Sequence, residues 1–240
     1  MSVVVLAVSR SVVAVGADQL HLNFSMMPPE PHFDHRKVFR GDHVVGAMTG
    51  VADTPAGSLL DELVGAMRAL TLADAVKTFR SRTQPWLTSA YMHWRSYYGA
   101  DAPEELFAAV VIGGITRAGP RAVELLPAVR GSQVIWTQTQ PFGAEESETY
   151  VGAYGVVDTE LRRHLTAYAW MQPRGLIEGP SPGPRPAADA DNDVVLAHVY
   201  ELVEGAIARE AQFPRPNGWA QSTPVLGGTP MLAAMRWDPP

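Results

Sequence analysis

The first group in this chain equipped to do chemistry is Ser2. Met1 is usually removed when a small residue follows, and its loss would give Ser2 both a hydroxyl and a free α-amine. That amine, with a pKa of roughly 8, can take the hydroxyl proton directly or through a water, a task for which an internal serine must borrow a histidine. Ser2 also stands at the head of an apolar, β-branched run, so a nucleophile there would sit on a rigid strand. The seven histidines, His32 and His35 in a Pro-rich stretch among them, show no metal-ligand spacing. With no Cys there is no thiolate chemistry, no disulfide and no Cys-based metal centre. Neither a metal nor a cofactor is expected.

The elements that must position Ser2 can be read in order. Within Met1–Asp18 two apolar runs flank a short polar turn and read as a hairpin of buried strands that begins at Ser2. Leu22 to Phe33, with Pro28, Pro29 and Pro31, reads as a loop. Arg36–Arg40 and His43–Thr49 form a second strand pair around Gly41-Asp42. A helix is expected from Asp53 as N-cap with Pro55 in its first turn, carrying Leu59, Leu60, Leu63, Val64, Met67 and Leu70 at helical spacing. Pro85 is expected to open a further helix that Gly99 closes.

Phe107–Gly114 and Gln133–Thr137 read as strands, Gln138–Glu148 as a polar loop, and Val156–Met171 and Val194–Gln212 as helices. Residues Pro173–Asp193, rich in Pro, Gly, Ala and Asp, read as an inserted linker in a single domain of residues 1–240. A strand from Pro230 to Trp237 closes the chain. Helices in two pairs, separated by strands apolar on both faces, predict an α+β fold built as a four-layer αββα sandwich.

Composition narrows the partners. Apolar residues make up 46% and support a sizeable core, while charged residues, at 18%, fall below the usual quarter. A formal charge of −6 with no basic run argues against nucleic acid or an anionic membrane. The N-terminal apolar runs are too short for a signal peptide or a spanning helix, which makes the cytoplasm the expected location.

Several stretches together resemble the proteasome β-subunit family, including bacterial proteasome-like peptidases of the N-terminal-nucleophile class. Val12–Asp18 is similar to that family's second strand with its buried aspartate, at a matching distance from Ser2. Lys37-Val38 resembles the site of its catalytic lysine. Gly46-Ala47-Met48-Thr49-Gly50-Val51-Ala52-Asp53 is similar to its Gly-rich turn into the first helix, Val111–Pro120 to its central strand and turn, and Gly227-Gly228 to the start of its last strand. The resemblance implies Ser2 as nucleophile, Asp18 and Lys37 as its electrostatic support, and the Gly50 N–H as oxyanion donor. Met48 and Leu22 would then face the substrate, a peptide or protein, and the chain would form homo-oligomers, possibly rings.

Serine stands where the family usually has threonine, and Ser222-Thr223-Pro224-Val225-Leu226 lacks the aspartate and serine that precede its last Gly-Gly. The serine expected near Gly152-Ala153 is also absent. Three readings follow: an N-terminal serine peptidase, a non-catalytic proteasome-like assembly subunit, or a small-molecule amidase on the same fold.

Overall fold

The computed structural model describes residues 2–23, 30–98, 107–155, 185–208, 222, 224 and 226–237. The chain begins with β1 (Val4–Val8) and β2 (Val12–Ala17), followed by a small hairpin of β3 (His21–Asn23) and β4 (Glu30–His32). Next come β5 (Val38–Arg40), β6 (Val44–Gly50), and a two-residue pairing of β7 (Asp53–Thr54) with β8 (Gly57–Ser58). Helices α1 (Leu59–Ala66) and α2 (Leu72–Tyr98) lead to β9 (Ala108–Thr116), β10 (Gly119–Arg130), β11 (Gln133–Gln138) and β12 (Tyr150–Tyr154). Helix α3 (Asn192–Ala208) and strand β13 (Met231–Arg236) complete the described elements.

The architecture is mixed α and β, and every pairing among the described strands is antiparallel. A four-stranded sheet runs β12-β1-β2-β13 and a five-stranded sheet β11-β10-β9-β6-β5. Strand alternation decides what each face touches. In β1, Val4, Leu6 and Val8 pack with Val45, Ala47 and Val111 of the other sheet. The intervening Val3, Val5 and Ala7 pack with Val195, Val199 and Leu202 of α3. Both faces of the hairpin are therefore covered, which is why it has no polar alternation. The outer face of the five-stranded sheet, through Val110, Ile112, Val123 and Trp136, meets Leu63 of α1 and Phe79, Leu87 and Trp94 of α2. Each such side chain, fully buried, stabilises the fold by about 1.5–3 kcal/mol before conformational entropy is subtracted.

Two helix boundaries differ from the sequence reading. The first helix is capped by Ser58, whose Oγ accepts from the Asp61 N–H at 3.1 Å, and not by Asp53. Asp53 instead lies in a tight β7–β8 turn whose centre is Pro55-Ala56, with Thr54 Oγ1 accepting the Ala56 N–H at 3.2 Å and donating to Gly57 O at 3.0 Å. Pro55, placed in a turn, stabilises that turn in place of a first helical turn.

Likewise, Pro85 does not start a helix but sits inside α2. Proline has no N–H for the Ser81 carbonyl, yet both residues are exposed on the solvent face, where water can serve that carbonyl. On the opposite face α2 covers the open edge of β11. Thr88 Oγ1 accepts the Val134 N–H at 3.0 Å, and the Gln84 amide donates to Val134 O at 2.9 Å while accepting the Trp136 N–H at 3.1 Å. An edge that would otherwise offer free backbone groups is thereby closed.

Tyr150–Tyr154 forms a strand beside β1 that the sequence reading did not include, with Gly152-Ala153 in its middle. The end of the Pro-rich stretch docks: Arg10 N–H donates to Ala188 O at 2.8 Å and Thr149 N–H to Pro186 O at 2.9 Å. The helix expected over Val156–Met171, and residues 173–184 of the linker, lie outside the described residues.

Candidate active site

Four of the chemistry-bearing residues meet where β1 and β2 face β6. Asp18 follows β2 directly and is fully buried. An ionised carboxylate in such a place must be paired and hydrogen-bonded, and Asp18 is. Its Oδ1 accepts the Val3 N–H at 3.0 Å and the Lys37 ammonium at 3.0 Å. Its Oδ2 accepts the Leu20 N–H at 3.2 Å and the Gly227 N–H at 3.3 Å. One side chain thus ties together the start of β1, the exit of β2, the entry to β5 and the approach to β13.

Lys37 is 6% exposed. Burial pulls the pKa of its ammonium below the usual lysine value, and the Asp18 carboxylate, by charge and hydrogen bond, opposes that pull. The ion pair is therefore interdependent, since neither charge has another described partner of opposite sign at that distance.

Ser2 is 2% exposed and projects, in the register of Val4 and Leu6, between the two sheets. Its Oγ forms a short hydrogen bond with Thr49 Oγ1, which also lies 3.2 Å from the Ser2 carbonyl oxygen. The described hydrogen bonds therefore join Ser2 to Thr49 through its hydroxyl, and to Asp18 through the neighbouring Val3 N–H. They do not join the Ser2 hydroxyl to Lys37. Gly155, at φ +79°, passes so close that a Cβ there would collide with Thr49 Oγ1 and Ser2 O.

The ladder around β6 fixes where the Gly50 N–H points. Met48 N–H donates to Lys37 O at 3.2 Å on the β5 side, whereas Val51 N–H donates to Phe107 O at 2.8 Å on the β9 side. Antiparallel alternation then directs the Gly50 N–H toward β5, beyond the point where that strand begins at Val38. Gly50 has φ +97°, and a Cβ there would meet the Phe107 carbonyl and Ala108 Cα. Only glycine suits that bend.

Met48 and Leu22 are both buried. Met48 packs under the helices with Leu59, Leu63 and Tyr91, on the opposite face of β6 from Thr49. Leu22 pairs with Pro31 in the β3–β4 hairpin.

Thr49 and His21 were not singled out by the sequence reading, which weighed His32 and His35 only as metal ligands. A signal for Thr49 existed, because it falls in the register of Val45 and Ala47, a hydroxyl on a face that is otherwise apolar. Near the Lys37 end of the site His21 stacks on His35 with centroids 4.3 Å apart, and His32 lies 6.4 Å from His21. Burial, followed by the neighbouring His35, lowers the His21 pKa to about 4, against an opposing pull from Asp53. His35 is lowered by burial first and Lys37 second. Among the described residues no group of three His, Asp or Glu side chains is arranged to hold a metal ion. Compared with protein-family models and with curated proteins, the chain matches none.

Proposed function

We propose that this chain is an N-terminal nucleophile hydrolase of the proteasome-like type, with the αββα layering of that class, cleaving amide bonds in peptides or proteins. What supports the reading most is the Asp18–Lys37 ion pair, buried and held against the first residues of β1 by the Val3 N–H. The same resemblance that implies Ser2 as nucleophile implies this pair as its electrostatic support.

In this mechanism loss of Met1 frees the Ser2 α-amine, which takes the proton as Ser2 Oγ attacks the substrate carbonyl carbon. The Gly50 N–H donates a hydrogen bond to the developing oxyanion, an interaction worth about 3 kcal/mol in the transition state. The protonated amine passes its proton to the leaving amine as the carbon–nitrogen bond breaks, leaving an ester on Ser2. Water, deprotonated by the same amine, then hydrolyses that ester. Lys37, oriented by Asp18, supplies positive potential that favours the developing negative charge. Homo-oligomeric assembly, as a ring or otherwise, would enclose such a site, and the cytoplasm is the compartment proposed for it. No described helix is long and apolar enough to cross a membrane.

A second reading, a non-catalytic assembly subunit, is favoured by one observation: the Ser2 hydroxyl is buried and bonded to Thr49. The test is mass determination of the purified N-terminus combined with a serine-reactive acylating probe. Hydrolysis predicts a chain lacking Met1, a probe adduct on Ser2, and loss of peptide cleavage in Ser2→Ala. Retained Met1 with no adduct would sink the enzymatic reading and leave the assembly subunit, for which Ser2→Ala changes nothing in the oligomeric state.

A further inference from the structure

At the other end of β9 from Gly50, α2 and strands β9 to β11 enclose a groove of about 530 Å³. Nine residues of β9 separate the two places, roughly 27 Å at the rise of an antiparallel strand. This groove is independent of the hydrolase reading. Its floor is apolar, made by Leu72, Val76 and Val123, all nearly fully buried, with Pro141 at the side. Ala73, Lys77 and Arg80 follow one another along α2 at spacings that place them on one face.

The charge of the lining is one-sided. Lys77 and Arg80 contribute two cations, and no carboxylate lines the groove. Glu124, next to Val123 on β10, faces the other way and accepts from the hydroxyls of Tyr150 and Tyr154. Among the described residues neither Lys77 nor Arg80 has an ion-pair partner. Arg80 Nη1 donates to Gln138 Oε1 at 2.6 Å, but its Nε–H is shut off from solvent and has no acceptor. Two cations with no described counter-ion make an anionic oxygen the natural complement of this lining.

An apolar floor of this volume with a few convergent polar groups is the usual form of a small-molecule site. We propose that the groove binds a small amphipathic monocarboxylate, with its hydrocarbon body on Leu72, Val76 and Val123 and its carboxylate against Lys77 and the Arg80 guanidinium. A fully hydrated anion such as phosphate would leave the floor bare, and a neutral alcohol would leave the guanidinium unpaired.

The experiment is calorimetric titration of the full chain with decanoate, decanol and decylamine, all below their aggregation concentrations. Decanoate should bind saturably, one per chain, and more tightly than decanol by about tenfold or more, the worth of one charged hydrogen bond. Raising the salt concentration should weaken decanoate and leave decanol unchanged. The double substitution Lys77→Gln/Arg80→Gln should erase the preference for the acid, and Ala73→Trp, which fills the mouth of the groove, should remove binding of both. In the unaltered protein, NMR should show decanoate shifting the methyl signals of Val76 and Val123, a readout that needs no variant to fold. Equal affinity for decanoate and decanol, tighter binding of decylamine, absence of saturable binding, or shifts confined to other methyl groups would each overturn the proposal.

Discussion

Replacing Asp18 by Asn tests the centre of the structure. Asp18 accepts four hydrogen bonds, two on each oxygen, all from donors. Asn offers one acceptor oxygen and one amide, so whichever way it turns, two donors face an NH₂. The Lys37 ammonium is also left buried without a counter-charge. Removing one partner of a buried pair costs about 3–5 kcal/mol, and each stranded donor about 1–3 kcal/mol in overlapping measure. The expected loss for Asp18→Asn is therefore about 3–5 kcal/mol, read from urea unfolding monitored by tryptophan fluorescence.

The pH dependence of that loss carries the sharper information. Burial already holds the Lys37 pKa below its ordinary value, and Asp18 is what resists. Without Asp18 the folded-state pKa falls further while the unfolded value stays at the ordinary lysine value of 10.5. Between those two values the unfolded chain holds the proton more readily, so stability of the variant must rise with pH. Adding Lys37→Met should restore much of the loss, because the stranded charge is gone. Additive effects of Asp18→Asn and Lys37→Met, or a loss below about 1 kcal/mol, would refute the interdependence argued for this pair.

Three further outcomes are expected. Thr49→Val, nearly isosteric, should cost about 1–3 kcal/mol by stranding the Ser2 hydroxyl and carbonyl, with Thr49→Ser costing less; equal melting curves for all three proteins would argue against that contact. Gly50→Ala should lose about 2–4 kcal/mol, because φ +97° is strained for any Cβ and the Phe107 carbonyl blocks it; a wild-type denaturation midpoint would contradict the backbone described there. His21 has its pKa lowered from 6.5 to about 4, so as pH falls through that window the unfolded state takes the proton first and stability drops. The full shift would correspond to about 3.4 kcal/mol, reduced to about 1–2 kcal/mol for a half-exposed ring, and His21→Gln should flatten the curve between pH 7 and pH 4 if this is right.

Legibility in the sequence followed the physics of each segment. The β1–β2 hairpin, the β9 run and the amphipathic α3 were readable because burial on both faces, or on one helical face, leaves a continuous or periodic apolar signal. The Asp53 and Pro85 boundaries were misread because a short Pro-Ala turn and an exposed proline each resemble a helix start, and only tertiary packing chooses between them. The strand Tyr150–Tyr154 was missed since Gly152-Ala153 at its centre are poor strand formers, and it holds its place by pairing with β1.

For the candidate site, the charged members Asp18 and Lys37 were legible only through the family resemblance, since an Asp at a strand end or a Lys at a strand start has an ordinary structural reading as well. Thr49 did not stand out because a hydroxyl is tolerated on any strand. The stacking of His21 and His35 could not be read, since their proximity depends on how the chain folds back after β3.

The reach of Asp18 has a consequence for how the protein is made. Its carboxylate joins backbone as far along the chain as Gly227, 209 residues away. During synthesis the hairpin that carries Ser2 leaves the ribosome long before Gly227, so that last clasp and the β13 edge beside β2 cannot form until translation has passed them. The candidate centre is thus completed by a segment made long after Ser2, and a chain cut short before Gly227 would carry Ser2, Lys37 and Thr49 without the clasp that Asp18 makes there.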